Sequence, residues 1–324
     1  MKRVIKINRW LSISLCCVLF WITFASSSSS WAGQVITKED RLWAKRILAE
    51  EKSLGAPSAP NTVAVFSFQN KTGKQKLDPL QKGLALMLIT DLSQVKSIQV
   101  VERVKLQALV DEMEFGKSGL VDMDGAPRVG KLLGAQQLVG GDLQKGQSHS
   151  LQINALFLNT QTAEILKQHK SEGELAELFN LEKNIVSDVL KFLAITPTPE
   201  EEKKLQKPLT KSIKAAMDLF NGIAASDKGD YLKAARFYKR ALKADPAISH
   251  AQEALGELQN LGLVPNAGSS ASLLRSIKDQ TSLTDQLPSE DATKRRKILH
   301  GKIDGGQTGQ PNYPVNFPPT EFPN

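Results

Sequence analysis

Cysteine is nearly absent: the 324 residues hold only Cys16 and Cys17, both within the first 32. Without that stretch the chain can form no disulfide, and it offers no thiol nucleophile or thiolate metal ligand. Aromatics are thin at 6%, with three tyrosines, too few for a nucleic-acid binder that works by base stacking. The four histidines, His149, His169, His250 and His300, stand in polar contexts, and no two lie three or four residues apart, so they spell no zinc motif. The longest apolar stretch, Trp10 to Ala25, is broken by Ser12, Ser14 and Thr23 and falls short of the ~20 residues a spanning helix takes. What remains, 41% apolar and 23% charged, is ordinary globular composition, and the length suits roughly two domains.

The N-terminus begins with Lys2, Arg3, Lys6 and Arg9, and no acidic residue precedes Glu39. The apolar run, a serine stretch and Ser30-Trp31-Ala32 follow. That order predicts a secretory signal over 1–32, cleaved between Ala32 and Gly33. Retention as a membrane anchor is the alternative, disfavoured because the run is short and the small-x-small site is well placed. Lipid attachment fits poorly, since Leu15 rather than a small residue precedes Cys16. Cleavage takes four positive charges, so 42 basic residues become 38 against 34 acidic ones, and +8 falls to +4. The pI near 9.3 is then partly a property of the leader, and a nucleic-acid partner loses its main support.

Residues 33–60 read as an amphipathic helix and a linker. Thr37 is the N-cap with Asp40 three residues on, Leu42, Trp43, Ile47 and Leu48 form the apolar face, and Gly-Ala-Pro-Ser-Ala-Pro follows. Residues 61–195 alternate strand and helix patterns, which predicts an α+β or α/β layered domain. Strands are expected at 62–68, 98–102, 135–144, 150–160 and 163–172, and helices at 78–95, 103–113, 126–133 and 175–195, with a Gly-rich stretch from Gly116 to Gly125. Leu80, Leu84, Met87, Leu88 and Leu92 make the apolar face of the helix over 78–95, and Leu151, Ile153, Ala155 and Phe157 make one core row of a strand. A Pro- and Glu-rich linker is expected over 196–208, an all-α module over 209–262, and a disordered tail over 263–324, whose last 14 residues include five prolines.

Within the helical module, Gly222, Tyr231, Ala234, Tyr238, Ala241 and Pro246 fall at the spacing of a 34-residue tetratricopeptide (TPR) unit begun at Ala215. Gly222 and Ala234 would let two helices cross closely, while Tyr238 fills the gap beside Ala241. GDYLKAARFYKRALKADP resembles the second helix of such a unit, whereas Asp218 and Asn221 stand where the first helix usually has large apolar residues. One repeat cannot bury its own face, so 248–262 is expected to supply a covering helix. Packing on the α/β domain, a peptide groove and a dimerisation surface all stay open as its use.

Four stretches of the α/β segment have a familiar order: VAVFSFQNKTGK (63–74), VVERVKLQALVDE (100–112), GKLLGAQQLVGGDL (130–143) and LFLNTQTAEIL (156–166). Together they resemble the CsgG family, and with it the FlgO and TolB amino-terminal domains of bacterial envelopes. The resemblance implies a CsgG-like mixed sheet with packed helices, and a place in the assembly or transport of surface material. Glu102 and Arg103, at the passage from strand to helix, are expected to pair and cap the helix rather than perform chemistry, and Gly134 with Ala135 forms a structural turn. Ala163 stands where the family has a glycine. The best-known members form an outer-membrane ring that secretes curli subunits through two inserted membrane-spanning β-hairpins. A membrane strand takes ~9–11 residues, but the turn from Lys145 to His149 has five and the 113–126 connection is short and charged, so such hairpins have no room.

The remaining motifs fail on spacing. Asn70-Lys-Thr-Gly73-Lys74 lacks the earlier glycine and the following Ser or Thr of a phosphate loop, and reads as a polar turn. Asp122-Met-Asp124-Gly125 lacks the other calcium ligands, and Gly116-Lys-Ser118-Gly119 has its second glycine one place early for a nucleophile elbow. No catalytic, cofactor-binding or metal residue is assigned. The expectation is a non-enzymatic periplasmic protein, at most peripherally associated with the outer membrane. Its partners would be other envelope proteins, outer-membrane components or further copies of itself, with no nucleic acid and no small-molecule substrate. A curli-type secretion-channel subunit and a periplasmic ligand-binding adaptor are the alternatives.

Overall fold

The computed structural model describes residues 34–55, 57, 59–113 and 125–265. The leader with Ala32 and Gly33, the Gly-rich stretch up to residue 124, and the tail from 266 onward with His300 lie outside the described residues. Thr37 opens α1 (Lys38–Ala49) through a capping box: its hydroxyl accepts the Asp40 N–H, and the Asp40 carboxylate accepts the Thr37 N–H at 2.8 Å. Trp43, Ile47 and Leu48 pack inward as expected, but Leu42 is 51% exposed and Ala44 fills the buried position instead.

Six strands form one mixed sheet: β1 (Thr62–Val65), β2 (Gln69–Asn70), β3 (Gln99–Val100), β4 (Gln137–Lys145), β5 (Leu151–Asn159) and β6 (Ile165–Gly173). The order is β3-β1-β4-β5-β6, with β2 also beside β4. β1 runs parallel to β3 and β4, and β4, β5 and β6 make the antiparallel meander that the alternating pattern predicts. The stretch 62–68 is interrupted rather than continuous. A regular strand would put Phe66 and Phe68 on one face, but Phe66 enters the core on one side of the sheet and Phe68 the core on the other.

Both faces of the sheet are covered. Val63, Val65, Val139 and the row Leu151, Ile153, Ala155 and Phe157 meet α2 (Pro79–Leu92) and α5 (Leu178–Phe192). Ala64, Phe66, Leu138 and Leu158 meet α1, α3 (Arg103–Glu112) and α4 (Ala126–Leu132). Gly134 ends α4 at φ +67, where the Ala135 N–H reaches back to the Gly130 carbonyl at 2.9 Å and Ala135 is fully buried as the chain enters β4.

The segment read as a linker holds a helix, α6 (Pro199–Leu205). Thr198 and Glu201 form its capping box, and Glu201 also accepts the Lys96 N–H at 2.9 Å, which ties α6 to the loop after α2. Charge made TPTPEEEKK look like a solvated connector, yet an N-cap threonine, proline at the first position and three acids in the first turn are helix-start signals. Beyond it α7 (Ile213–Asp227) lies on α2, α8 (Tyr231–Ala244) on α7, and α9 (Ser249–Asn260) on α8. These helices share one apolar core with the sheet, and the described residues through Val264 form one compact unit. In consequence α2 buries Ala85, Leu86 and Ile89 as well as the five residues of its predicted face, as a helix covered on both sides must. Of the second unit, Pro265–Asn324, only Pro265 is described.

Candidate functional site

Of the residues singled out in the helical module, Gly222 and Tyr238 meet where α7 crosses α8, and Pro246 stands apart. A Cβ on Gly222 would sit 2.3 Å from the Tyr238 ring, and one on Gly83 of α2 would sit 2.3 Å from the Phe220 ring of α7. Ala234, Tyr238 and Ala241 are fully buried there, Tyr231 is half-buried at the edge, and Pro246 is exposed in the α8–α9 turn. Glycine at 83 and 222 thus sets how closely three helices approach.

Beside this crossing lies a buried ionic joint. Arg103 does not pair with Glu102, which is half-buried and faces Lys105 at 3.2 Å. The Arg103 guanidinium instead enters the interior and donates to both Asp227 oxygens at 3.1 and 3.0 Å, and to the Gln34 carbonyl at 2.5 Å. Lys82 of α2 donates to the same Asp227 at 2.6 Å. Burial pushes the Asp227 carboxyl up, but the Arg103 and Lys82 charges outweigh it and hold the group below the usual carboxylate range. Glu257 of α9 accepts the Gln34 and Val35 N–H groups at 2.7 and 3.2 Å, so the first described residues are held between α3 and α9. An adjoining cleft of about 20 Å³, lined by Ser67, Lys82, Arg103 and Gln107, has room for about one water. Its chemistry is that of an ionic lock between elements.

A second polar cluster joins α2 to α5. Lys183 contacts Asp91, lies 3.6 Å from Glu182, and donates to the Lys207 carbonyl at 3.0 Å. Burial first, then the Asp91 charge, push the Glu182 carboxyl well above its ordinary value. Burial likewise raises the Asp91 carboxyl, against the bond and charge of Lys183, so both acids of this pair are shifted toward the protonated form. His250 is also buried, with Nε2 3.1 Å from the Thr90 hydroxyl, and burial pulls it down to about 4, leaving it neutral at pH 7. Its flanks had read as polar, yet its side of α9 packs on α2. His169 of β6 meets Asp188 of α5 at 2.6 Å, with Lys167 and Lys191 nearby. Burial raises the Asp188 carboxyl, but the bond and charge of His169 prevail and lower it.

The Asn70 loop closes on itself: its side chain accepts from the Thr72 N–H and hydroxyl and donates to the Lys74 carbonyl and to Asp78. Among the described residues no group of three or more His, Cys, Asp or Glu is placed to hold a metal, and no helix is long and apolar enough to cross a membrane. Asp227, Lys82, Glu182 and Glu257 were not singled out in the sequence. Asp91 carried a usable signal, a lone acid inside the apolar run LALMLITDL.

The fold is a mixed α+β sandwich extended by packed helices. Residues 46–145, from α1 to the end of β4, match the family model described as "Curli production assembly/transport component CsgG". The stretch 156–166 lies beyond that match. "Putative adenylate cyclase 3" of Rhizobium meliloti (strain 1021) is 22% identical over 218 residues, which cover 64% of this chain and 34% of that protein. The chain thus spans about a third of that relative's length. Among solved structures, the LpoB C-terminal domain from Salmonella enterica is 15% identical, covering 41% of this chain and 94% of that one at a TM-score of 0.30. Lipoprotein GNA1162 from Neisseria meningitidis is 12% identical, covering 43% and 100% at 0.31.

Proposed function

We propose that this chain is an exported, non-enzymatic envelope protein that works through protein contacts in the assembly or transport of surface material. The observation that carries the reading is the match of residues 46–145 to the curli assembly and transport family. The chain crosses from β4 to β5 in five residues, Gly146 to Ser150, too few for a pair of membrane strands, which favours a partner of a transport system over its pore. The tight Gly222–Tyr238 crossing supports a TPR-like pair. Its inner side is spent on α2, so partners would be met on its outer surface.

The test follows the chain in its own cells. Fractionation should recover it with the envelope, detergent-free light scattering should give a discrete soluble mass, and cells lacking it should lose a surface component. Recovery in the cytosol, or unchanged surface content, overturns the reading. A chain that stays dispersed only in detergent returns the secretion channel to favour.

A further inference from the structure

The outward face of α8 has a composition that neither the fold nor the ionic joint explains. Between Tyr231 and Ala244 the helix carries Lys233, Arg236, Lys239, Arg240 and Lys243, all exposed, and no acidic residue. At about 100° per residue these five fall within an arc of roughly 120°, opposite the buried Ala234, Tyr238 and Ala241. Leu232 lies inside that arc and is 62% exposed, the most of the exposed large apolar side chains among the described residues.

A solvated helix face ordinarily mixes signs. Here α1 has Lys38, Glu39, Asp40 and Arg41 in sequence, and α6 has three glutamates followed by two lysines. On α8 the like charges instead stand three and four apart, as Arg236 with Arg240 and Lys239 with Lys243, an arrangement that destabilises a helix left alone in water. Arg240 is held by Asp218 of α7 at 2.8 Å and lies 5.3 Å from the Phe237 ring centre. Lys233, Arg236, Lys239 and Lys243 form no ion pair among the described residues.

We propose that this face docks on an anionic lipid bilayer surface, with the four unpaired cations among phosphate headgroups and Leu232 entering the acyl boundary. Charge complementarity selects an anionic partner. A convex single-helix surface with an exposed leucine among flexible cations fits an extended lipid plane better than an acidic peptide, which would need a groove. The inference goes beyond the envelope reading and is independent of it, because it is read on purified chain and vesicles.

The experiment is co-sedimentation of the purified full chain with phosphatidylglycerol/phosphatidylethanolamine vesicles and with phosphatidylcholine vesicles. The second set registers any charge-independent insertion by the N-terminal apolar run. The wild type should pellet with the anionic vesicles, less so as salt rises. The variant Lys233→Gln/Arg236→Gln/Lys239→Gln/Lys243→Gln should lose affinity on the order of a hundredfold or more, and Leu232→Asn should weaken it further. Removing the same charge elsewhere, by Lys76→Gln/Lys96→Gln/Lys145→Gln/Lys170→Gln, should leave binding within a few-fold. All eight cations are exposed, so unchanged thermal melts verify folding. Equal losses from both quadruple variants, or no preference for anionic lipid, overturn the proposal. Retention on immobilised polyaspartate without vesicle binding assigns the face to an acidic protein and likewise overturns it.

Discussion

Asp227 brings a carboxylate to a place where two cations are already out of water. Breaking a buried pair from one side leaves an uncompensated charge, typically at a cost of about 3–5 kcal/mol, far more than a surface bridge is worth. Asp227→Asn strands both Lys82 and Arg103, so urea unfolding should show a loss in that range. Adding Lys82→Met should recover part of it, since one stranded cation goes. Little of this was legible in the sequence, where Arg103 belonged to a Glu-Arg pair at a strand end. The partner that claims it lies 124 positions away, and no local spacing announces such a distance.

Ala163 makes the opposite case, because here the sequence did point to the residue. Its place in the turn was expected to suit glycine, and it sits at φ +57, the left-handed region that costs an L-residue about 1–2 kcal/mol. The turn keeps its geometry: the Ala163 N–H bonds the Asn159 carbonyl at 3.0 Å, and β6 is recovered two residues on. The positive φ is therefore borne by alanine as strain, with the hairpin intact. Ala163→Gly should stabilise the chain by about 0.5–1 kcal/mol after the extra freedom of glycine in the unfolded state is counted. An unchanged or lower urea midpoint would show that the strain is relieved elsewhere.

At the scale of elements, α2 shows what periodicity reveals and what it hides. The stripe from Leu80 to Leu92 was read as the apolar face, and all five of its residues are buried in the core that α2 shares with the sheet. The same helix is apolar nearly all round, and that excess reports a second covering layer, supplied by helices more than 120 residues later. Burial on both sides was written in Ala85, Leu86 and Ile89, whereas the identity of the cover was not. Gly83 lies directly against the Phe220 ring of that cover. Alanine there would gain helix propensity but drive a methyl into the Phe220 ring, and overpacking of this kind costs about 1–3 kcal/mol. Gly83→Ala should therefore destabilise the chain, and Phe220→Leu should remove most of that effect. Additive losses in the double variant would mean that the two residues are not coupled. Because α7 to α9 share this core, deleting them would expose the outer side of α2 rather than release a separate module.

For the whole molecule, the buried titratable groups set two opposing limbs of stability against pH. His250 has its folded value depressed to about 4 from an ordinary 6.5, so the unfolded chain binds the proton first. Its contribution is complete above pH 6.5 and is lost as pH falls toward 4, amounting to about 3 kcal/mol at 1.36 kcal/mol per unit. Glu182 acts with the reverse sign. Its folded value is raised well above 4.5, so the native state holds a proton that the unfolded state releases, and stability declines as pH rises past the ordinary carboxylate range. Asp227, held low by its two cations, adds a further loss only in strong acid. Denaturation midpoints measured from pH 4 to 8 should therefore pass through a maximum inside that interval. His250→Asn should flatten the acid limb, and Glu182→Gln, which keeps the shape and the donated hydrogen, should raise stability at neutral pH. A Glu182→Gln chain no more stable at pH 8 than the wild type would mean that Lys183 holds this carboxylate ionised, and the joint between α2 and α5 would then be a second salt bridge instead of a shared proton.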